Sequence, residues 1–98
     1  IEPSLNAMFD AARSALIVSG AAEPETIRTH SGLITAFSLH LVKAGKVSLE
    51  LGRALNKVEE IRLVADYKGE PADRETVAWA VGQAEAFVAA IEANFPRG

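Results

Sequence analysis

Apolar residues recur at three- and four-residue steps along most of this chain, and this spacing constrains the fold more than any other feature of the sequence. Such spacing places side chains on one face of an α-helix. No segment shows the sustained two-residue alternation between turn signals that a half-buried β-strand requires. We therefore expect an all-α protein without a β-sheet.

Four apolar stripes with this period predict four helices. The stripes consist of Leu5, Met8, Phe9, Ala12, Ala15 and Leu16; of Leu33, Ile34, Phe37 and Leu41; of Leu51, Leu55, Val58, Ile61 and Ala65; and of Val77, Val81, Ala84, Phe87, Val88, Ile91 and Phe95. Residues 21–28 lack a regular apolar period and predict a connection. Because the connections are short, an antiparallel up-and-down bundle is the simplest arrangement that buries all four stripes.

Residues typical of helix ends separate the stripes. Gly20 and Gly45 are expected to end the first and second helices. The third helix is expected to end near Tyr67, because a glycine and a proline follow it. Ser48 and Asp73 are the expected N-caps of the third and fourth helices.

Length and composition suit one folded domain that covers residues 1–98. Of the 98 residues, 49% are hydrophobic, and the chain contains no cysteine. One core is feasible at this size, while disulfides, thiolate chemistry and cysteine-held zinc are excluded. No apolar run approaches the roughly 20 residues that cross a bilayer, and the N-terminus shows no export signal. We expect a cytoplasmic protein that does not associate with membranes.

The net charge of −3 limits how the chain could contact nucleic acid. An acidic protein lacks the broad electrostatic attraction that phosphate backbones provide to basic ones. Contact with RNA would therefore depend on a local basic group. The motifs of nucleophile elbows, zincins and dinucleotide-binding loops are also missing from the sequence, which excludes the common hydrolase and dehydrogenase classes.

Two histidines are candidates for chemistry, but their spacing does not suit a metal. His30 and His40 lie about 80° apart around an ideal helix, so they cannot form a metal-binding pair on one face, and we expect no metal or cofactor. His30 is expected at the start of the second helix, where it either hydrogen bonds to the preceding loop or contacts a ligand. We expect His40 to be partly exposed and the neighbouring Glu59 and Glu60 to lie on a solvated face.

Arg62 falls at the margin of the third apolar stripe, where a charged side chain needs an explanation. In one interpretation it pairs with Asp66, four residues later, while its aliphatic stem covers the core. In the other, the guanidinium faces a phosphodiester or a partner subunit. Both remain open from the sequence.

Four strings, in this order and spacing, resemble a HEPN domain. They are Ala7-Met8-Phe9-Asp10-Ala11-Ala12-Arg13, Thr29-His30-Ser31-Gly32-Leu33-Ile34, Glu50-Leu51-Gly52-Arg53-Ala54-Leu55 and Arg62-Leu63-Val64-Ala65-Asp66-Tyr67. The resemblance covers nearly the whole chain and is closest to the short HEPN proteins paired with minimal nucleotidyltransferases (MNT). Similar proteins usually carry a further helix before the first of these strings.

This resemblance implies a helical bundle, frequent homodimerisation and, in many members, metal-independent RNA cleavage by an arginine and a histidine. Arg62 matches the family arginine, whereas Tyr67 occupies the position expected to hold histidine. Tyrosine is a poorer base than histidine near neutral pH, so the departure bears on catalysis. Arg62 and Tyr67 also lie about 140° apart on one helix, so their convergence would require fraying of the helix end or a second copy of the chain.

Three functions follow as alternatives. The first is a component of an MNT-HEPN toxin–antitoxin-like system that acts on RNA, with Arg62, Asp66 and Tyr67 lining a cleft at a homodimer interface; if active, it would be a metal-independent endoribonuclease. The second is a non-enzymatic module that binds a nucleotidyltransferase, or a nucleotide through Arg62 and His30. The third is a purely structural helical dimer whose interface buries Arg62 and Tyr67 without forming a cleft. For Tyr67 itself, the alternative to lining a cleft is that its ring seals the end of the third helix.

Overall fold

Four α-helices make up most of the protein in a computed structural model that describes residues 2–20 and 27–95. They are α1 (Glu2–Ser19), α2 (His30–Phe37), α3 (Leu49–Lys68) and α4 (Arg74–Asn94), and a π-helical segment (Ser38–Val42) continues α2. No strand occurs in the described ranges, and none of the helices there is both long and apolar enough to cross a membrane. The prediction of an all-α helical bundle is confirmed.

The core draws side chains from all four predicted stripes. α1 packs most extensively against α4, α3 lies against both of them, and α2 packs on α1 and α3. The largest side chains enclosed by these contacts are Phe9, Phe37, Phe87, Leu5, Met8, Leu16, Ile27, Leu33, Leu41, Leu55 and Val58. Burial of this apolar surface is the main force that holds the helices together.

The second helix departs from its prediction. It was expected to continue to Gly45, but regular α-helix ends at Phe37 and the chain then widens into the π-helical segment. The amide of Lys43 donates to the carbonyl of Ser38 at 3.0 Å, five residues earlier, which defines the wider turn. The segment lies close to α3, where a Cβ added at Gly52 would come within 3.1 Å of the Val42 side chain.

The other helix ends follow the predictions closely. Gly20 and Gly69 have positive φ angles of 68° and 70°, which a glycine adopts without steric cost. The amide of Gly69 bonds back to the carbonyls of Ala65 and Asp66, and α3 ends one residue after Tyr67. Ser48 occupies the N-cap position of α3, although its side chain makes no capping hydrogen bond. Most of the predicted connection, residues 21–26, lies outside the described part of the chain.

Asp73 caps α4 as predicted, and its carboxylate accepts a hydrogen bond from the Thr76 amide at 2.8 Å. Hydrogen bonds from the backbone and side chain of Thr76 lower the pKa of Asp73 below its ordinary value of 3.8. A carboxyl whose pKa is lower in the folded state stabilises the fold at pH values above its unfolded pKa, and this stabilisation is lost as the pH falls through the folded pKa.

We therefore expect Asp73→Ala to lower the melting temperature at neutral pH, with a difference from wild type that shrinks in acid. Thermal denaturation followed by circular dichroism at both pH values measures it. Asp73→Asn is the matched control, because asparagine caps helices equally well without titrating. A difference between Asp73→Ala and wild type that is the same at both pH values would contradict the capping role of the ionised carboxylate.

Candidate functional site

Four ionisable side chains meet where the start of α2 crosses the second half of α3. We call His30, Glu59, Arg62 and Asp66 the α2–α3 cluster. Three of them share one face of α3, because steps of three and four residues bring side chains above one another on a helix. His30 is the first residue of α2, and the Thr29 side chain fixes that helix start by accepting the Gly32 amide at 3.0 Å.

The Glu59 carboxylate is the centre of the cluster. Glu59 is only 6% exposed, so the prediction that it lies on a solvated face is wrong, whereas Glu60 is exposed as predicted. Its Oε1 accepts hydrogen bonds from Nε of Arg62 at 2.9 Å and from Nη2 of the same residue. Its Oε2 lies 2.9 Å from Nδ1 of His30. One oxygen of this buried carboxylate thus holds the Arg62 guanidinium, whereas the other lies close to the imidazole but accepts no hydrogen bond of acceptable geometry from the described residues.

Arg62 connects this buried carboxylate to the surface. Its Nη1 donates to Oδ2 of Asp66 at 2.9 Å, which confirms the predicted pair at a four-residue step. The Arg62 side chain is 20% exposed, whereas that of Asp66 is mostly exposed. The guanidinium is therefore held on its inner side by a buried group and on its outer side by a solvated one.

His30 is positioned by contacts with two helices. Its ring stacks on that of Phe9 in α1, with centroids 4.1 Å apart and planes inclined by 9°. Its Nδ1 faces Glu59, and 39% of the side chain remains exposed. The His30 side chain makes no hydrogen bond to residues 27–29, the described part of the preceding loop, so the predicted bond is not seen there. His40, in the π-helical segment, is partly exposed as predicted.

A groove runs beside the cluster between α2 and α3. His30, Thr35, Asn56, Arg62 and Leu63 contribute to its walls, and its volume is 580 Å³. Small-molecule sites commonly have volumes of about 300–1,000 Å³, so a nucleotide or a short stretch of RNA backbone would fit. Among the described residues, no group of three or more histidine, aspartate or glutamate side chains could hold a metal ion.

Tyr67 lies apart from the groove. Its side chain is 92% exposed near the end of α3. The interpretation in which it seals the end of α3 is therefore wrong for the single chain. Of the three residues expected to line one cleft, the structure brings together Arg62 and Asp66 and leaves Tyr67 on the surface. Its place at a homodimer interface stays a prediction.

The arrangement offers two kinds of chemistry at one groove. An imidazole near neutral pH can exchange a proton, and a guanidinium can stabilise a developing negative charge. Sequence reasoning selected His30, Arg62 and Asp66 but missed Glu59, which orients the Arg62 guanidinium and lies beside the His30 ring. The signal was present in the sequence, because Glu59 precedes Arg62 by three residues and can share its helix face.

Comparison with known proteins gives two relatives, both UPF0332 proteins. One, from Gloeobacter violaceus, is 35% identical over 69 residues, which cover 70% of this chain and 52% of the relative. The other, from Thermotoga maritima, is 43% identical over 65 residues, which cover 64% of this chain and 48% of the relative. The chain thus spans about half the length of the curated relatives it matches. No family model and no solved structure matches the chain.

Proposed function

We propose that this chain is a HEPN-type helical domain that acts on RNA and works in the cytoplasm beside a minimal nucleotidyltransferase, in a toxin–antitoxin-like pair. The sequence strings that resemble HEPN domains support this proposal, as does similarity to UPF0332 proteins over most of the chain. The all-α bundle is the architecture that the resemblance implies.

The observation that carries the proposal is the fixed position of Arg62 at the wall of the groove. Charged side chains at the edge of a core are seldom retained without a partner or a task. Arg62 is held by Glu59 on its inner side, which directs the guanidinium instead of leaving it to rotate in solvent. A planar guanidinium suits phosphate groups, because it can donate two parallel hydrogen bonds.

The local charge shapes how RNA would bind. Glu59 and Asp66 both face Arg62, and the whole chain is acidic. A phosphate would therefore have to displace Asp66, the solvated partner, before it reached the guanidinium. RNA binding is expected to be local, modest in affinity and weakened by salt.

Binding of a fluorescein-labelled single-stranded RNA, followed by fluorescence anisotropy, tests the RNA-directed function. Arg62→Lys keeps the positive charge but loses the bidentate geometry, so we expect affinity to fall by about tenfold, the effect of losing about 1.4 kcal/mol. Lys57→Ala is the control, since its side chain pairs with Glu60 at 3.6 Å and does not line the groove. Expression of each variant in bacteria, with growth as the readout, accompanies the binding measurement. Wild type and Arg62→Lys that bind RNA with equal affinity and affect growth equally would contradict the proposal.

A second candidate is a non-enzymatic module that binds the nucleotidyltransferase itself. Leu63, Val64 and Tyr67 are large apolar or aromatic side chains exposed along the second half of α3, a composition typical of protein interfaces. The same surface would serve the proposed homodimer, in which a second copy brings its Tyr67 towards Arg62. Copurification with a co-expressed neighbouring nucleotidyltransferase, lost in Leu63→Glu, would favour this candidate if RNA binding fails.

A further inference from the structure

A second groove runs along the contact between α1 and α4 and shares no wall residue with the groove beside the α2–α3 cluster. It consists of two hollows of 510 and 500 Å³, which are continuous because Ala7, Val88 and Glu92 line both. Its α1 wall extends from Pro3 to Val18, roughly 22 Å at a rise of 1.5 Å per residue. This α1–α4 groove is therefore long enough for about four turns of a further helix.

The floor of the α1–α4 groove is apolar and contains many small side chains. Ala7 and Ala89 are exposed in it, and Val88 and Phe95 are only partly buried against the core beneath. Alanines on a helix surface leave room for another helix to pack at close range. An apolar, concave surface of this length that is open to solvent is typical of a site where an amphipathic helix docks.

The charges along this groove are all of one sign. Its ionisable wall residues are Asp10, Glu85 and Glu92, so no lysine, arginine or histidine of the described residues lines it. Asp10 is paired with Arg13 at 3.1 Å, but Glu85 and Glu92 are exposed and form no ion pair within the described ranges. Because they are seven residues apart, these two glutamates stand two turns apart on one side of α4. Two carboxylates without cations of their own therefore border the apolar floor.

This charge pattern determines which occupant suits the groove. A second copy of the chain that docked groove to groove would bring the carboxylates of both copies together, which is unfavourable. A helix with lysine or arginine at the edges of its apolar face would instead place a cation opposite each glutamate. The groove therefore favours a basic partner over a second copy of this acidic chain.

We propose that the α1–α4 groove binds a basic amphipathic helix of a partner protein. The apolar face of that helix, with residues at three- and four-residue steps, packs on Val88 and Phe95, and its basic side chains, two turns apart, pair with Glu85 and Glu92. The small side chain of Ala7 gives the partner helix space to approach. This interaction goes beyond the proposed function, because it uses no residue of the α2–α3 cluster.

The test measures how the full-length protein binds two fluorescein-labelled synthetic peptides, followed by fluorescence anisotropy. Each peptide has about 15 residues, enough for four helical turns, and carries leucines at three- and four-residue steps. One has lysines two turns apart along the edges of the leucine face, and the other has glutamates at the same positions. We expect saturable binding of the lysine peptide and at least about tenfold weaker binding of the glutamate peptide, with a difference that shrinks as salt is added.

Reversing the charges of the groove identifies the binding site. Glu85→Lys combined with Glu92→Lys should exchange the preference, so that the glutamate peptide binds more tightly. The matched control is Glu50→Lys combined with Glu70→Lys, which changes the net charge equally at exposed positions outside the groove. Both affinities should stay within about threefold in this control, because salt screens distant surface charges.

A steric variant separates the groove floor from its charges. Ala7→Trp places a large ring at an exposed position of the floor, so it should weaken binding of the lysine peptide by about tenfold or more. Its circular dichroism spectrum and its RNA binding through Arg62 should match those of wild type.

Three results would overturn the proposal. They are the absence of saturable binding of the lysine peptide, a preference that survives the reversal of Glu85 and Glu92, and a homodimer in analytical ultracentrifugation that Ala7→Trp dissociates. The last result would assign the groove to a second copy of the chain. Because peptide binding does not involve Arg62, a wild-type protein that binds the lysine peptide but no RNA would contradict the proposed function alone.

Discussion

Arg62→Ala is expected to destabilise the protein by about 3 kcal/mol, because removing one partner of a buried ion pair leaves the other charge without compensation. Glu59 is only 6% exposed while the Arg62 side chain covers it, so truncation removes the donors of its Oε1 and leaves a carboxylate that is only partly rehydrated. A typical domain has a total stability of about 5–15 kcal/mol, so this loss would be conspicuous. Urea denaturation, with the free energy of unfolding extrapolated to zero denaturant, measures it.

Replacing both partners should cost less than replacing one. In Glu59→Leu combined with Arg62→Leu, no charge remains buried, and two apolar side chains occupy similar space. We expect this double variant to be more stable than Arg62→Ala. Lys57→Ala is the surface control, because its pair with Glu60 is exposed and should change stability by less than about 1 kcal/mol. Arg62→Ala that unfolds at the wild-type urea concentration would show that the Glu59 carboxylate is tolerated without its partner.

Most of the fold was predictable because helices are encoded locally. The three- and four-residue period identifies which face of each helix is buried, and it needs no knowledge of the partner helix. Gly20 and Gly69 end helices through their own backbone freedom, and Asp73 starts one through its own carboxylate. Each of these signals lies within a few residues of the structure that it determines.

The π-helical segment was not predictable in this way. Leu41 lies on the expected stripe and is buried as expected, yet the backbone around it makes the wider turn. The close approach of Val42 to Gly52 brings together residues from two elements that only the folded chain places side by side. A period read from one helix contains no information about such an approach.

The residues of the site show the same difference between contacts within one helix, which were predicted, and contacts between helices, which were not. The pair between Arg62 and Asp66 follows from spacing on one helix and was predicted. The burial of Glu59 depends on His30 lying over it from α2, so spacing on α3 alone placed it among solvated residues. The stacking of His30 on Phe9 likewise joins two helices. What sequence reasoning missed was therefore the part of the site that requires three helices at once.

The second large effect is expected in the core, where Phe37→Ala should destabilise the protein by about 3–5 kcal/mol. Phe37 is fully buried at the end of α2, and its ring meets that of Phe87 in α4 with centroids 5.5 Å apart. Truncation removes apolar contacts and leaves a cavity that the surrounding helices can only partly fill. Because the free energy of unfolding could approach zero, Phe37→Leu provides a milder variant for urea denaturation.

Tyr67→Ala is the control for Phe37→Ala, because it also removes an aromatic ring, but one that is exposed instead of buried. With 92% of its surface exposed, Tyr67 should contribute less than about 0.5 kcal/mol to the stability of a single chain. If the homodimer predicted from the sequence forms through this side chain, the effect of Tyr67→Ala should instead grow with protein concentration, since association stabilises a fold by mass action. The effect of Phe37→Ala should be present at every concentration. A loss below about 1 kcal/mol in Phe37→Ala would contradict the burial of this ring against Phe87, because truncating a buried aromatic ring in a close-packed core costs more than that.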